Sequence, residues 1–381
     1  MTPYRCRKVP RTSIIIPTRN RRELLEQTLA SVIAQSEPDW EAIVVDDGST
    51  DGTLGYLRAV AREDDRVRLL RRTGANPGAC AARNQGVAAA RSDVIIFLDS
   101  DDILEPFALE DRLASLGQRP EIDFLVTQAR CFHKTPDDLN VLWNIDPPGI
   151  TPGEDLHRFL RRDIPWQTTS ATWRRPALAR LGGWDERAPS GQDYEFHVRA
   201  ILLGLRYDRI AGYDFQWRKG SADRASVGLA SIQARHWAYR AVMAERFLHI
   251  MRQTEQLTPI RRDLLAGQCW MAAANVRQRS TIRAATRIWD RARTLGLIDT
   301  RRWLEGSAYL IGFGRRHIRE PAKRWIEQTW PRDLLLTPSP THTAALVPPE
   351  WEASVRQRRT AAEKGKALEA AAPREAAKRF R

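Results

Sequence analysis

Short apolar runs alternate with helix-like segments along the first half of the chain. Four of the runs have the length and the Val and Ile content of buried strands: residues 13–16, 42–45, 67–70 and 94–98. Between the first two runs, apolar residues from Leu24 to Ile33 repeat at helical spacing and form one stripe. Strands and helices in this order predict an α/β fold with a mostly parallel twisted sheet flanked by helices, to which residues 124–126 add a strand.

The second half of the chain is predicted to be mainly helical. A short helix is expected from Pro176 to Leu181 and another from Asp193 to Leu203, whereas residues 132–153 lack a period and predict a loop. Beyond about residue 228 the pattern favours helices rich in arginine. We therefore expect four parts, which are an N-terminal arm (1–10), the α/β domain (11–228), a helical C-terminal region (229–337), and a linker with a basic tail (338–381) that becomes helical only on contact with a partner.

The net charge of +14 is concentrated in the C-terminal part of the chain. Residues 231–381 contain 29 Lys and Arg against 14 Asp and Glu, whereas residues 1–230 contain 32 against 33. This asymmetry predicts a separate partner for the C-terminal part, either an anionic membrane surface, another protein or nucleic acid. Nucleic acid is the least favoured, because the first half has no basic excess and no recognised nucleic-acid motif occurs.

The composition also bears on the compartment. No window approaches the roughly 18 uncharged apolar residues of a membrane span, and the arginine-rich N-terminus lacks an apolar signal-peptide core. Four scattered cysteines without paired spacing predict reduced thiols. We expect a cytoplasmic protein, either free or peripheral at the inner face of the plasma membrane.

Carboxylates follow two of the predicted strands. Asp46 and Asp47 end the second strand, and Asp99, Asp101 and Asp102 end the fourth. Open α/β sheets bind ligands beyond the carboxyl ends of their strands, so these acids are expected to face a ligand. Carboxylate oxygens suit Mg²⁺ or Mn²⁺ that carries a diphosphate. The alternative is that Asp101 or Asp102 caps a helix beginning near residue 106.

Five segments in order resemble the motifs of family-2 glycosyltransferases of the GT-A fold. They are SIIIPTRN at 13–20, VVDDGSTD at 44–51, GACAARNQG at 78–86, FLDSDD at 97–102, and LGGWDE at 181–186 with GQDYEF at 191–196. The resemblance covers roughly residues 11 to 225. Each segment alone is a weak signal, but the five together in this order are a strong one.

The resemblance implies a nucleotide-sugar donor and a site for it at the strand ends. The residues that it assigns to donor binding are Pro17, Thr18, Asn20, Asp47, Arg83, Asp99 and Ser100. Asp99 and Asp101 form an acid-x-acid motif that would hold Mn²⁺ or Mg²⁺ beside the diphosphate. Asp102 would either cap a helix or stabilise Asp99 and Asp101 without contacting the ligand itself.

The same resemblance assigns Asp193 as the catalytic base and places Trp184, Asp185 and Gln192 on the acceptor side. Family members usually carry an acid where this chain has Gln192. Because a neighbouring like charge would raise the pKa of Asp193, the neutral Gln leaves the tuning of the base open. Two alternatives remain, namely that Trp184 only packs in the core and that Asp193 only caps the helix it begins.

The resemblance implies an inverting glycosyltransferase that moves a sugar, with UDP as the expected nucleotide, to a hydroxyl of a saccharide or lipid-linked acceptor. The expected setting is cell-surface polysaccharide or glycolipid biosynthesis. The alternative is a nucleotide-sugar-binding partner of a polysaccharide synthesis complex that has lost turnover. A nucleotidylyltransferase and a redox Rossmann enzyme are both disfavoured, because no Gly-rich phosphate loop follows the first strand.

Overall fold

The computed structural model of the protein describes residues 9–75, 77–144, 154–220, 233–314, 316–335 and 345–378. At its centre is one sheet of eight strands. In chain order they are β1 (Thr12–Thr18), β2 (Trp40–Asp46), β3 (Val67–Arg71), β4 (Val94–Phe97), β5 (Ile103–Leu104), β6 (Phe124–Phe132), β7 (Ala171–Arg174) and β8 (Tyr207–Arg218).

The strands lie in the order β3-β2-β1-β4-β7-β6-β8-β5. The four strands from β3 to β4 are all parallel, which confirms the predicted α/β half. β7 then runs antiparallel to both β4 and β6, and β5 runs antiparallel to β8, while β6 and β8 are parallel. The complete sheet is therefore mixed, and the expectation of a mostly parallel sheet holds only for its first half.

Helices cover both faces of the sheet and form the C-terminal region. Those of the first half are α1 (Arg22–Ile33), α2 (Thr53–Glu63), α3 (Ala79–Ala89), α4 (Ala108–Gly117), α5 (Asp155–Leu160), α6 (Arg175–Leu181) and α7 (Gln192–Leu202). Those that follow are α8 (Ala234–Gln253), α9 (Pro259–Arg279), α10 (Ile282–Thr294), α11 (Thr300–Ile311), α12 (Arg316–Thr329), α13 (Arg332–Leu335) and α14 (Pro349–Lys378). Of the helices described, none combines the length and the apolarity needed to cross a bilayer.

The sheet is buried on both faces, which explains why its central strands are almost continuously apolar. Ile15 and Ile43 point to one face, and Ile14 and Val44 point to the other, as the alternation of side chains along a strand requires. The first face belongs to a large cluster that continues into the helical region, including α8, α9 and α10. The predicted boundary at residue 228 lies outside the described residues, but the helical region beyond it shares one core with the sheet.

The C-terminal helix α14 packs against the edge of the sheet. Trp351 and Val355 of this helix contact Phe107 and Tyr213 in a small apolar cluster. Its Arg358 and Arg359 form ion pairs with Asp111, Glu105 and Asp137, which belong to the first half of the chain. The sequence predicts a tail that becomes helical only on contact with a partner, and for residues 349–366 the surface that the helix contacts belongs to the chain itself. The predicted linker at 338–344 and the loop segment at 145–153 lie outside the described residues.

Candidate active site

One cavity of about 640 Å³ opens beyond the carboxyl ends of β1, β2 and β4. Its opposite wall is formed by the start of α7, by the segment 162–168 and by α8. Nine of the residues predicted for the site line this cavity: Pro17, Thr18, Asp47, Arg83, Asp99, Ser100, Asp101, Gln192 and Asp193. The folded chain thus brings the predicted donor residues and the predicted base to one space.

The acids that follow β2 have separate roles. Asp46 is buried, and its carboxylate accepts hydrogen bonds from the backbone N–H groups of Gly48 and Ser49, so it shapes the turn. Asp47 lies at the cavity, pairs with Arg72 and accepts a hydrogen bond from the backbone N–H of Gly78 at 2.7 Å. Asp47 therefore joins the end of β2 to the start of α3.

The first strand contributes a polar group that no neighbour satisfies. Thr18 is 4 % exposed, and its hydroxyl oxygen Oγ1 is buried without a hydrogen-bond partner among the described residues. A buried hydroxyl without a partner is uncommon in folded proteins and costs free energy. Because Thr18 lines the cavity, a polar ligand group is the natural partner for this oxygen.

The two acids of the acid-x-acid motif each contact an arginine. Arg83 donates to Oδ1 of Asp99 at 2.6 Å, and Arg21 donates to Oδ2 of Asp101 at 2.8 Å. Arg83 also lies over the ring of Trp184 and donates to the side chain of Gln192 at 3.4 Å. These contacts place two cations beside the acids, at the same end of the cavity.

The third acid of the segment, Asp102, has no exposed surface. Its carboxylate accepts hydrogen bonds from the hydroxyl of Thr169 at 2.7 Å, from the side chain of Gln167 at 3.3 Å and from the backbone N–H of Arg218 at 3.3 Å. The helix that follows, α4, has Phe107 at its N-cap and no side-chain cap. The alternative that Asp101 or Asp102 caps this helix is therefore wrong; Asp102 instead fastens the acidic segment to the second half of the sheet.

The carboxylates of Asp99 and Asp101 fit a divalent cation that arrives with a diphosphate. In the part of the chain that the structure describes, no group of three or more His, Cys, Asp or Glu could hold a metal ion alone. Mg²⁺ is commonly held by one or two protein carboxylates together with substrate phosphates and water, and not by an all-protein cage. Two carboxylates on one cavity wall match that arrangement.

Asp193 lies in the first turn of α7, where Gly191 with φ 68° is the N-cap. Its Oδ1 accepts a hydrogen bond at 2.8 Å from the backbone N–H of Tyr194, one of the N–H groups of the first turn that have no partner within the helix. Asp193 thus satisfies part of the helix N-terminus, and the alternative that it caps this helix stays open beside the role of base. Burial raises the pKa of this carboxyl, opposed by the Tyr194 hydrogen bond and reinforced by the charge of Asp99. The pKa of Asp193 is therefore raised even though the residue before it, Gln192, carries no charge.

Two residues expected on the acceptor side lie behind the cavity wall. Trp184 is 4 % exposed and stacks on Phe196 with ring centroids 3.9 Å apart, so it packs in the core, which was the alternative for this residue. Asp185 accepts hydrogen bonds from the hydroxyl of Tyr239 at 2.7 Å and from Arg246 at 3.1 Å, both on α8. Burial alone would raise the pKa of Asp185, but hydrogen bonds, chiefly from Arg187, lower it strongly. Asp185 thus holds α8 against the site.

Asn20, predicted to bind the donor, also stands outside the cavity. It has φ 51°, in the left-handed region that Asn tolerates better than most residues. Its side-chain oxygen accepts a hydrogen bond from the backbone N–H of Thr50 at 2.7 Å, and its own N–H donates to the hydroxyl of Ser49. Asn20 therefore ties the loop after β1 to the loop after β2.

The sequence patterns did not identify the residues of the opposite wall. These include Trp143, Arg162, Gln167, Thr168, Trp217, His236, Trp237 and Arg240. They come from four separate segments, and neither helical nor strand spacing distinguishes them from core or surface residues.

The sequence and the fold of the chain are similar to those of known proteins. A model of the family described as "Glycosyl transferase family 2" matches residues 13–180. The chain is 31% identical over 249 residues to the O-antigen biosynthesis protein RfbC of Myxococcus xanthus, covering 65% of this chain and 18% of that protein. It is 30% identical over 244 residues to the succinoglycan biosynthesis protein ExoU of Rhizobium meliloti, covering 61% of this chain and 69% of that protein. The chain belongs to glycosyl transferase family 2.

This member of glycosyl transferase family 2 spans less than half the length of several curated relatives that it matches. The crystal structure of residues 1–349 of S. aureus TarS superposes with a TM-score of 0.54 at 17% identity, covering 84% of this chain and 91% of that chain. At this identity the likeness concerns the fold, which confirms the predicted GT-A-type architecture. The family match ends at residue 180, so Asp193 and the wall from α8 lie beyond it.

Proposed function

We propose that the protein transfers a sugar from a nucleoside diphosphate sugar, with UDP as the nucleotide, to a hydroxyl of a saccharide or lipid-linked acceptor. The observation that carries the proposal is the single cavity in which Asp99 and Asp101 face a half-buried carboxylate, Asp193, whose pKa is raised. Support for the donor comes from TarS, of similar fold, whose crystal structure includes a complex with UDP-GlcNAc. The names of RfbC and ExoU support a role in cell-surface polysaccharide or glycolipid biosynthesis.

The donor is proposed to bind at the strand ends. Thr18 and Asp47 would contact the nucleoside, where Thr18 offers its unsatisfied hydroxyl. Asp99 and Asp101 would hold Mn²⁺ or Mg²⁺, and Arg21 and Arg83 lie where the diphosphate is expected. A bound divalent cation would supply positive charge to stabilise the leaving nucleoside diphosphate.

Asp193 is proposed to act as the general base. The acceptor oxygen attacks the anomeric carbon and its proton passes to Asp193, while the bond from that carbon to the diphosphate breaks and its electron pair leaves with the nucleotide. One displacement of this kind inverts the anomeric configuration. The second carboxylate oxygen, Oδ2, accepts no hydrogen bond from the described residues and is available for the proton. A raised pKa brings the base nearer to neutral pH, where proton transfer is most effective.

One observation favours the alternative of a nucleotide-sugar-binding assembly partner without turnover. Arg21 and Arg83 form ion pairs with Asp101 and Asp99, and these pairs would compete with a metal ion for the same oxygens. An enzyme must release these arginines from the acids when the metal-bound donor arrives. A partner without turnover could retain the pairs and bind the nucleotide without metal.

The two functions differ in the metal dependence of nucleotide binding. We expect calorimetry to show that UDP binds in the presence of Mn²⁺, and that Asp101→Ala abolishes this metal-dependent binding without unfolding the protein, because the apolar residues of β4 hold the sheet. The matched control is Asp93→Ala, since Asp93 is an exposed acid at the opposite end of β4. UDP binding that ignores Mn²⁺ in the wild type, or that survives in Asp101→Ala, would favour the assembly partner.

A further inference from the structure

Two arginines on the Asp193 side of the cavity form no direct ion pair with the described residues, although the charge of Arg162 acts on nearby Asp193 and opposes the rise of its pKa. Arg162 follows α5 and Arg240 lies on α8, and both line the cavity. Among the ion pairs of the described residues, none includes either of them, although this chain pairs most of its buried cations with carboxylates. Two neighbouring cations that share only the nearby charge of Asp193 are unfavourable, so their position beside a cavity requires an explanation.

Arg162 lies in the turn that ends α5, between arginines and acids that are paired with each other. Arg158 pairs with Asp163 at 2.9 Å and Arg161 pairs with Asp333 at 2.9 Å. Arg162 has φ 70° because it occupies the left-handed position of the helix C-terminus, where its backbone N–H donates to the carbonyl of Phe159 at 2.8 Å. Its guanidinium lies 4.6 Å from the ring centroid of Tyr194, and its Nη1 is buried without a hydrogen-bond partner in the described residues.

Arg240 shows the same absence of a partner on the facing helix. It is half-buried and lies over the ring of Trp237 at 4.1 Å. Burial, together with the charge of Arg162, lowers the pKa of Arg240 to about 9. Carboxylates are within reach of α8, since Arg246 on the same helix contacts Asp185 and Glu195. The acids that contact this helix therefore pair with Arg246, which points about 120° away from Arg240 around the helix, and the described residues show no ion pair for Arg240.

The ring on which Arg162 packs is itself held in place. Tyr194 directly follows Asp193, and its hydroxyl accepts a hydrogen bond from the side chain of Gln268 at 2.6 Å. Arg162 packs on this ring, so its position relative to the base is fixed through one backbone step. A group bound by the two arginines would therefore be held at a defined distance from Asp193.

We propose that Arg162 and Arg240 form a subsite for a phosphoryl group carried by the acceptor. Guanidinium groups bind phosphate through pairs of parallel hydrogen bonds, and two of them match a group with three oxygens and up to two negative charges better than a carboxylate with one. The cations beside the predicted diphosphate are Arg21 and Arg83, on the other wall. This inference rests on the proposed function, because Asp193 defines which end of the cavity receives the acceptor.

The test uses small probes of the phosphoryl group, with UDP and Mn²⁺ present to fill the donor end. Octyl phosphate stands for a lipid-linked phosphate, glucose 1-phosphate stands for a phosphorylated saccharide, and octyl glucoside is the uncharged control. Calorimetry compares wild type, Arg162→Gln, Arg162→Lys and Arg240→Gln. The matched control is Arg235→Gln, an exposed arginine on α8 that does not line the cavity.

We expect at least one phosphate probe to bind the wild type and octyl glucoside not to compete with it. Each Gln variant should weaken that binding about tenfold or more, the usual scale for a charged hydrogen bond, and Arg162→Lys should weaken it less. Arg235→Gln should leave it unchanged. Binding of octyl phosphate alone assigns the group to a lipid, and binding of both probes assigns recognition to the phosphoryl group itself.

Melting temperatures separate ligand binding from a structural role. Because Arg240 lies beside another cation, its replacement should leave the melting temperature unchanged or raise it. A lower melting temperature with unchanged phosphate affinity would overturn the inference, as would failure of both phosphate probes to bind the wild type while UDP and Mn²⁺ fill the donor end. If the wild type fails to bind UDP with Mn²⁺, the proposed function fails, and the phosphate probes alone still decide the subsite.

Discussion

Asp101 and Asp102 are neighbours in the chain, yet their surroundings differ. Asp101 lines the cavity beside Arg21, whereas Asp102 is enclosed by donors from Thr169, Gln167 and Arg218. The sequence predicts that acids gather at this strand end, because a strand that stops in carboxylates can be read from local pattern alone. It does not predict which acid turns inward, because the donors that satisfy Asp102 come from positions more than 60 residues away.

The same limit applies to Trp184 and to the arginines of the opposite wall. A tryptophan after two glycines has the same local pattern whether it stacks on a ligand or on Phe196. Arg162 and Arg240 lie on the same wall of the cavity although they are 78 positions apart in the chain, and nothing in either segment predicts that they are neighbours. Residues that depend on long-range contacts were therefore the ones that sequence patterns missed.

Asp193 supports a prediction that separates function from stability. We expect Asp193→Asn to lower the transfer rate at saturating donor by about 100-fold or more, the range for loss of a general base, with donor affinity retained. The raised pKa means that the folded protein holds the proton more tightly than the unfolded chain does. The ionised carboxylate therefore costs stability above the folded-state pKa, and this cost disappears below the unfolded value of about 4.

Removal of that carboxylate should consequently raise the melting temperature at pH 7, and the gain should vanish as the pH falls toward 4. The wild-type rate should also fall with decreasing pH through the raised pKa, because only the ionised form accepts a proton. Glu186→Gln, a neutral replacement of a nearby acid that does not line the cavity, serves as the control. Near-normal turnover in Asp193→Asn, or a product that retains the donor's anomeric configuration, would refute the role of base.

At the scale of elements, the long strands and helices of the first half follow from local pattern, whereas the short strands do not. β5 has two residues and β7 has four, and both exist because neighbouring strands offer backbone partners. β8 begins with two adjacent charged residues, Asp208 and Arg209, so no period marks its start, whereas residues 213–218 alternate apolar and polar side chains, a strand pattern that was not among the predicted strands. These segments are strands because neighbouring strands pair with their backbone, and not because of their local sequence pattern alone.

The attachment of α14 to the catalytic half gives the prediction at this scale. Arg359 donates to the buried carboxylate of Glu105 at 2.6 Å and to Asp137 at 2.6 Å. Arg359→Met would leave Glu105 buried without its cation, and we expect the free energy of unfolding in urea to fall by about 3 kcal/mol. Arg356, one turn earlier, is exposed and pairs only within the helix, so Arg356→Met should cost less than about 0.5 kcal/mol. Equal effects of the two variants would mean that α14 does not depend on this contact.

On the scale of the whole molecule, the helical region is joined to the sheet through a common core and cannot be treated as an appendage. Phe247 of α8 and Leu264 of α9 belong to the same cluster as Ile15 of β1. Truncation near residue 228 would expose this cluster to water, so a truncated protein would test folding and not the partner of the basic region. Removal of surface charges from the intact chain avoids that difficulty.

The excess positive charge supports the proposal that the helical region binds an anionic membrane surface. Arg283 and Arg287 are exposed, lie four residues apart on α10 and therefore share one face, beside the partly exposed Ile282. Basic residues near an anionic bilayer contribute about 1 kcal/mol each. Loss of both should therefore weaken sedimentation with anionic liposomes about tenfold or more. Raising the salt concentration should weaken wild-type binding in the same way, because the Debye length is only about 8 Å at 0.15 M.

The control must remove the same charge from the other half of the molecule. Arg58 and Arg62 are exposed and also lie four residues apart, on α2 of the catalytic half. We expect Arg283→Gln with Arg287→Gln to lose liposome binding while Arg58→Gln with Arg62→Gln retains it, with equal melting temperatures for both. If the two double variants lose binding equally, the attraction depends on total charge and not on α10. If the wild type ignores anionic liposomes at low salt, the basic region serves another partner, and a protein contact becomes the hypothesis to pursue.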